Sequence, residues 1–273
     1  MSNITPDAHE IKAVVQAHYS AAIQSARGCC SPTSTELTLY GPETLAELPA
    51  DVLTTSFGCG NAVALASLQP GETVIDLGSG GGLEVLLAAK RVGPEGFVYG
   101  LDMTDAMLDV ARRNAAKADV ANVSFLKGDI EAIPLPDQQI DVIMSNCVVN
   151  LAPDKGEVLH EAFRVLKPGG RLAISDIVFD VEFDTLAISE PEIRSALSWA
   201  GCFAGALTMA QYRSLLAAAG FDHIELAVTQ RYSAADLAAQ APAEHAPLAQ
   251  GTLAALDGRV TSCSITARRP ALH

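Results

Sequence analysis

Residues 74–82 read Val74-Ile75-Asp76-Leu77-Gly78-Ser79-Gly80-Gly81-Gly82, an apolar run that meets a carboxylate and then loses its side chains almost entirely. Such a run is a buried strand passing into a glycine loop, where a ligand can lie directly against the main chain. The helix predicted after it, Leu83 to Val92, aims its N-terminal amides at that ligand. Spacing separates two kinds of ligand. A dinucleotide fingerprint, G-x-G-x-x-G/A, requires Gly or Ala at position 83, where this chain has Leu83. The pattern present is D-x-G-x-G-x-G. A glycine-rich surface loop with no ligand is a poor reading straight after a buried strand.

Working outward, strand and helix alternate from about residue 71 to residue 180. The predicted strands are Thr73–Leu77, Phe97–Asp102, Val123–Lys127, Ile140–Ser145 and Arg171–Ile177. Helices are predicted over Ala106–Ala118 and Lys155–Leu166, the second stopped by Lys167-Pro168-Gly169-Gly170. This alternation builds an α/β fold, a mostly parallel sheet with helices on both faces. Residues 1–70 form a helical and loop lead-in, starting with an amphipathic helix over Ala8–Ser25 and carrying Cys29, Cys30 and Cys59. Residues 181–273 complete the sheet with helix Met209–Ala219 and strands Phe221–Thr229 and Val260–Ala267, and they carry Cys202.

The chain has 18 Lys and Arg against 32 Asp and Glu, a formal net charge of −14. Nucleic-acid backbones are gripped by clustered cations, and no basic cluster occurs, so no nucleic-acid partner is expected. A small ligand, neutral or cationic, suits the acidic balance. Apolar runs are short and broken by charge or glycine, so no membrane span is expected. The opening MSNITPDAHEIK has no basic stretch leading into an apolar core, and a cytoplasmic protein with reduced thiols is expected. No C-x-x-C pair occurs and the histidines lack zinc-type spacing.

In an open parallel sheet the ligand lies beyond the carboxyl ends of the strands, at the switch point beside the first. Asp76 stands there beside the glycine loop, Asp102 ends strand two where it would accept both ribose hydroxyls, and Asp129 follows strand three at the adenine edge. Each alone is as readily a turn or helix cap. Together with the loop they describe a nucleoside site. The glycine pattern resembles the first motif of class I S-adenosylmethionine (SAM) methyltransferases, which implies a Rossmann-like sheet and SAM as cofactor. The candidate cofactor residues are Asp76, Gly78, Ser79, Gly80 and Gly82, then Asp102 with Met103, Asp129 with Ile130, and Asn146. Met103 would pack on adenine, and is equally good as ordinary core.

The acceptor has to be read from the cysteines. Cys147 follows strand four in Ser145-Asn146-Cys147-Val148-Val149-Asn150, facing the reactive end of the cofactor. By itself it reads as a small buried hydrophobe. Cys59 lies between Gly58 and Gly60, Cys202 in a glycine-bounded segment, and Cys29 and Cys30 in a third loop; glycine-flanked cysteines are poor core material. Cys263 alternates with Ile265 and Ala267 and is assigned to the core. Loop thiols converging near a methyl donor suit a soft acceptor, and trivalent arsenic is neutral as arsenous acid at pH 7.

The segments Gly58-Cys59-Gly60-Asn61, Val74 to Gly82, Gly100-Leu101-Asp102-Met103-Thr104, Ser145 to Leu151 and Trp199 to Leu207 together resemble arsenite SAM methyltransferases. The glycine loop is shared by many methyltransferases, whereas G-C-G-N and S-N-C-V-x-N-L are far more specific. The resemblance implies Cys59, Cys147 and Cys202 as catalytic arsenic ligands, with Cys29 or Cys30 as an auxiliary thiol. It also implies a small inorganic or organoarsenical substrate, a thiol reductant of glutathione or thioredoxin type, and a role in arsenic detoxification. Two departures from the family pattern, Ala62 after G-C-G-N and Tyr19-Ser20 for a tyrosine–glycine pair, bear on the loop presenting Cys59 and not on the cofactor site. A methyltransferase for a quinone- or sterol-like acceptor would leave the thiols idle, and a non-catalytic metalloid-binding protein would leave the glycine loop unexplained.

Overall fold

The computed structural model describes residues 8–24, 40–49, 58, 60–197, 202–240 and 250–271. Cys29, Cys30 and Cys59 lie outside these residues, as does the Trp199-Ala200-Gly201 stretch. The helices run in chain order α1 (Ala8–Gln24), α2 (Pro42–Leu45), α3 (Ala62–Ala66), α4 (Leu83–Val92), α5 (Asp105–Lys117) and α6 (Lys155–Val165). They continue with α7 (Glu190–Ala196), α8 (Met209–Ala219), α9 (Ala234–Gln240) and α10 (Gln250–Ala255). None among the described residues is long and apolar enough to cross a membrane.

The glycine-loop strand, β1 (Thr73–Leu77), lies mid-sheet between β2 (Phe97–Asp102) and β4 (Ile140–Asn146), parallel to both. Outside these run β3 (Val123–Lys127) and β5 (Leu166–Phe179), with the short β6 (Leu207–Thr208) against the far end of β5. Two antiparallel strands, β7 (Asp222–Tyr232) and β8 (Val260–Arg268), extend the sheet, giving the order β3-β2-β1-β4-β5-β8-β7. The chain leaves β1 toward β2 and β3 and then crosses to β4 and β5. Strand order therefore reverses between β1 and β4, which opens a crevice at their carboxyl ends.

The apolar residues in adjacent positions of β1 (Val74, Ile75) and β4 (Val142 to Met144) are explained by burial on both faces. One face packs Ile75, Leu77 and Ile143 against Val158, Leu159 and Ala162 of α6 and Tyr212 and Leu216 of α8. On the other, Val74, Val142 and Met144 join Leu86 and Ala89 of α4 and Ala66 of α3. A third cluster at the carboxyl ends gathers Ile11 and Val15 of α1 with Cys147, Cys202, Phe203 and Leu253. Cys263 is fully buried within the first cluster, as expected from its alternation.

One local expectation shifts. The turn Lys167-Pro168-Gly169-Gly170 lies inside β5, which begins at Leu166 because Leu166 pairs with Ile140; the register then shifts, Val142 pairing with Arg171. Helix α5 has Thr104 as its N-cap without a side-chain cap bond; Asp102 Oδ1 instead accepts the Thr104 N–H at 2.8 Å. That exchange ties a candidate ligand residue to the helix.

Candidate active site

The carboxyl ends of β1 to β4 open into one cleft of about 1030 Å³ of empty space, open solvent included. Asp76, Gly78, Ser79, Gly80, Asp102, Met103, Asp129, Ile130 and Asn146 all line it, and so does Cys147. Gly82 does not. A Cβ there would meet Ala111 and Phe125 at 3.1–3.2 Å, so this glycine serves the packing of the α4 start against α5 and β3.

The glycine loop is held from below and open above. Gly78 and Ser79 donate their N–H groups to Leu101 O at 2.8 and 2.9 Å, drawing the loop across the end of β2. Gly78 has φ +74, and a Cβ on it would stand 2.3 Å from Val148 Cγ2. Gly80 has φ +50 and nothing within 4 Å of its Cβ position, which is room left on the cleft side. Asp102 Oδ2 accepts the Gly80 N–H at 3.0 Å, so one carboxylate braces both the loop and α5 while keeping lone pairs for a ligand. Ser79 lines the cleft, and its Oγ is buried without a hydrogen-bond partner among the described residues.

Three acids crowd this end of the cleft. Burial holds Asp76 well above the usual carboxylate range, and the charges of Glu84 and Asp102 add to it. Burial likewise pushes Glu84 up to about 7, against hydrogen bonds from Tyr40, Ala62 and Asn146 that favour its charged form. Such a group of raised carboxyls is complementary to a cation. At the other end Lys12 of α1 pairs with Asp129 at 3.5 Å and with Glu131. Lys12, Glu84 and Tyr40 went unrecognised in the sequence. An acid in a helix's first turn reads as a dipole partner, and nothing local reveals the long-range contacts that bury it.

Two of the candidate cysteines, Cys147 and Cys202, meet from distant parts of the chain. Cys147 sits just past β4 at φ +59, with its N–H donating to Ser175 O at 2.7 Å. Cys202 takes φ +67, and its Sγ donates to the Cys147 carbonyl oxygen at 2.8 Å. Both cysteines are only 3% exposed, so Cys202 is packed rather than free in a loop as its glycine neighbours suggested. Left-handed backbone at a non-glycine residue is held against its intrinsic preference, and two such cysteines in contact mark a constrained site. Gly60 N–H donates to Asn146 Oδ1 at 3.1 Å, and Asn146 Nδ2 donates to Gly60 O at 2.7 Å. A Cβ on Gly58 would lie 2.3 Å from Asn146 Nδ2. Both chain neighbours of Cys59 therefore rest on the residue that precedes Cys147.

The chain's residues 68–220 match a family model described as a methyltransferase domain. It is 40% identical over 81% of its length to an arsenite methyltransferase of Halobacterium salinarum, and 34% identical over 82% to one of Aquipseudomonas alcaligenes. Among solved structures it resembles an arsenic(III) S-adenosylmethionine methyltransferase from Chlamydomonas reinhardtii. That likeness has a TM-score of 0.64 and 33% identity, covering 84% of this chain and 73% of the other. The chain belongs to the arsenite methyltransferase family. It spans 60% of the Halobacterium protein and 66% of the Aquipseudomonas one. Family membership accounts for the class I sheet and glycine loop together, while the acidic trio and the paired left-handed cysteines are geometry of this chain.

Proposed function

We propose that the protein transfers a methyl group from SAM to trivalent arsenic bound by Cys59, Cys147 and Cys202, with Cys29 or Cys30 as an auxiliary thiol. The observation that supports this reading best is the contact of Cys202 Sγ with the backbone of Cys147, the cysteine that lines the same cleft as the glycine loop. The cleft suits SAM. Asp102 has lone pairs for ribose hydroxyls, Ser79 Oγ has no partner among the described residues, Met103 and Ile130 offer apolar surface, and Asp76 and Glu84 would favour a cationic ligand. When bound, SAM supplies a sulfonium-activated methyl group.

The chain's residues then have two tasks. The thiolates hold a soft element that oxygen ligands would hold poorly, and they enrich the arsenic lone pair that acts as nucleophile. No proton leaves the attacking atom, so the site needs no general base, and positioning with water excluded is the main contribution. Forming an As–C bond from the lone pair would break the sulfonium S–CH3 bond, release S-adenosylhomocysteine and oxidise arsenic from +3 to +5. A two-electron thiol reductant of glutathione or thioredoxin type would restore the trivalent state.

Incubation with arsenite, a thiol and methyl-labelled SAM tests the reading: label should appear in methylated arsenicals. Label passing to quinone- or sterol-like acceptors and not to arsenite would overturn it. Cys263→Ser is expected to lower stability by no more than about 1–3 kcal/mol, because the buried hydroxyl keeps Thr261 Oγ1, now 3.4 Å from Cys263 Sγ, as a partner, with methyl transfer retained. Thermal unfolding and turnover of one preparation check both halves. Cofactor affinity should also depend on pH. Below about 7 Glu84 holds a proton in the ligand-free protein. A cation favours its ionised form, so SAM binding tightens as pH rises through 7 and then levels off. Calorimetric titrations from pH 6 to about 8.5 should show a smaller rise for S-adenosylhomocysteine, which lacks the sulfonium charge.

A further inference from the structure

The function just proposed uses Glu84 only as negative charge, yet its hydrogen bonds reach into the other half of the site. Its Oε1 accepts from Tyr40 Oη at 2.9 Å, from the Ala62 N–H at 3.1 Å and from Asn146 Nδ2 at 3.3 Å. Tyr40 also lies 3.3 Å from Gly60 O, and Asn146 holds Gly60 through both its amide atoms. Gly60 and Ala62 bracket Asn61 in the G-C-G-N stretch, and Asn146 adjoins Cys147. One carboxylate on the cleft wall thus fastens the segments that carry two of the proposed arsenic ligands.

We propose that Glu84, supported by Tyr40, is a positioning residue that couples the two substrates: a cationic donor in the cleft tightens its grip on the Cys59 and Cys147 segments and so strengthens arsenic binding. The inference rests on the arsenite reading above. The physical link is charge. Tyr40, Asp76 and Asn146 face Glu84 from separate segments, Asp76 shares its buried acidic pocket, and a cation placed there favours the carboxylate over the acid. Hydrogen bonds to an ionised acceptor are about twice as strong as neutral ones, so the loop and the end of β4 are held harder when the donor is present. Coupling of this kind is reciprocal: arsenic binding must raise affinity for the cation by the same factor. Tyr40 stands behind Glu84 and does not line the cleft, so its hydroxyl can be removed without touching the donor.

The test measures arsenite binding by equilibrium dialysis on the acid side of about 7, where Glu84 of the ligand-free protein holds its proton, alone and with saturating sinefungin, a cationic SAM analogue without a transferable methyl group, or neutral-centred S-adenosylhomocysteine. In the unaltered protein sinefungin should tighten arsenite binding at least roughly fivefold and S-adenosylhomocysteine clearly less. In Tyr40→Phe that ratio should fall toward unity, with sinefungin affinity within about threefold of the unaltered protein because no cleft contact is lost. Glu84→Asp, which draws the carboxylate back by one methylene, should also abolish the coupling. Arsenite binding indifferent to sinefungin, or a ratio that survives in Tyr40→Phe, would overturn the coupling and leave the arsenite reading intact. A protein that binds sinefungin but never arsenite would overturn both.

Discussion

Replacing either Cys147 or Cys202 by serine should cut methyl transfer to arsenite by at least about 10²-fold, the scale of loss seen when a reacting atom is misplaced by an ångström. SAM binding should stay close to that of the unaltered protein. Serine removes soft sulfur without removing shape. At position 202 the hydroxyl can still donate to the Cys147 carbonyl oxygen, the bond that now measures 2.8 Å. At 147 the backbone bond to Ser175 O is untouched. The fold and cofactor cleft therefore persist while the arsenic ligand is lost, because a neutral hydroxyl is a hard donor. Turnover and SAM titration of the same preparations check this. Unchanged methylation in either variant would remove that residue from the ligand set.

The second large effect separates two glycines of one loop. Gly78→Ala puts a methyl 2.3 Å from Val148 Cγ2 on a backbone at φ +74. Strain and overpacking together should cost about 2–5 kcal/mol of stability. Because Val148 follows Cys147, relief of the clash would move the thiol segment as well as the loop. Gly80→Ala meets no atom within 4 Å, so its stability cost should be near the backbone term alone, about 1–3 kcal/mol. Its methyl projects into the space assigned to the cofactor, and SAM affinity should fall at least about tenfold, as for small steric intrusions in a fitted pocket. Thermal unfolding and calorimetry on both variants give the pattern. Gly80→Ala that binds SAM normally would take Gly80 out of the cofactor site.

The strands could be read in the chain because their signals are local. Val74 to Leu77 is buried on both faces and so is apolar apart from Asp76, and the glycines that follow announce a turn. The same locality placed Asp76, Asp102, Asp129 and Asn146 at strand ends, and all four line the cleft. Gly82 shows the limit of such reading. It belongs to the same glycine pattern, yet the helix and strand behind it, not the ligand side, require its missing side chain.

Composition, spacing and alternation thus sufficed to specify the sheet, the glycine loop and the class of cofactor, since each depends on neighbours within a few residues. The burial of Glu84 by Tyr40 and Ala62, the Lys12 pairing with Asp129 and Glu131, and the contact of Cys202 with Cys147 across 55 positions arise only when distant segments pack. A carboxylate's ionisation and a thiol's company are set by whatever folds against them. No stretch of chain shorter than the whole domain encodes that.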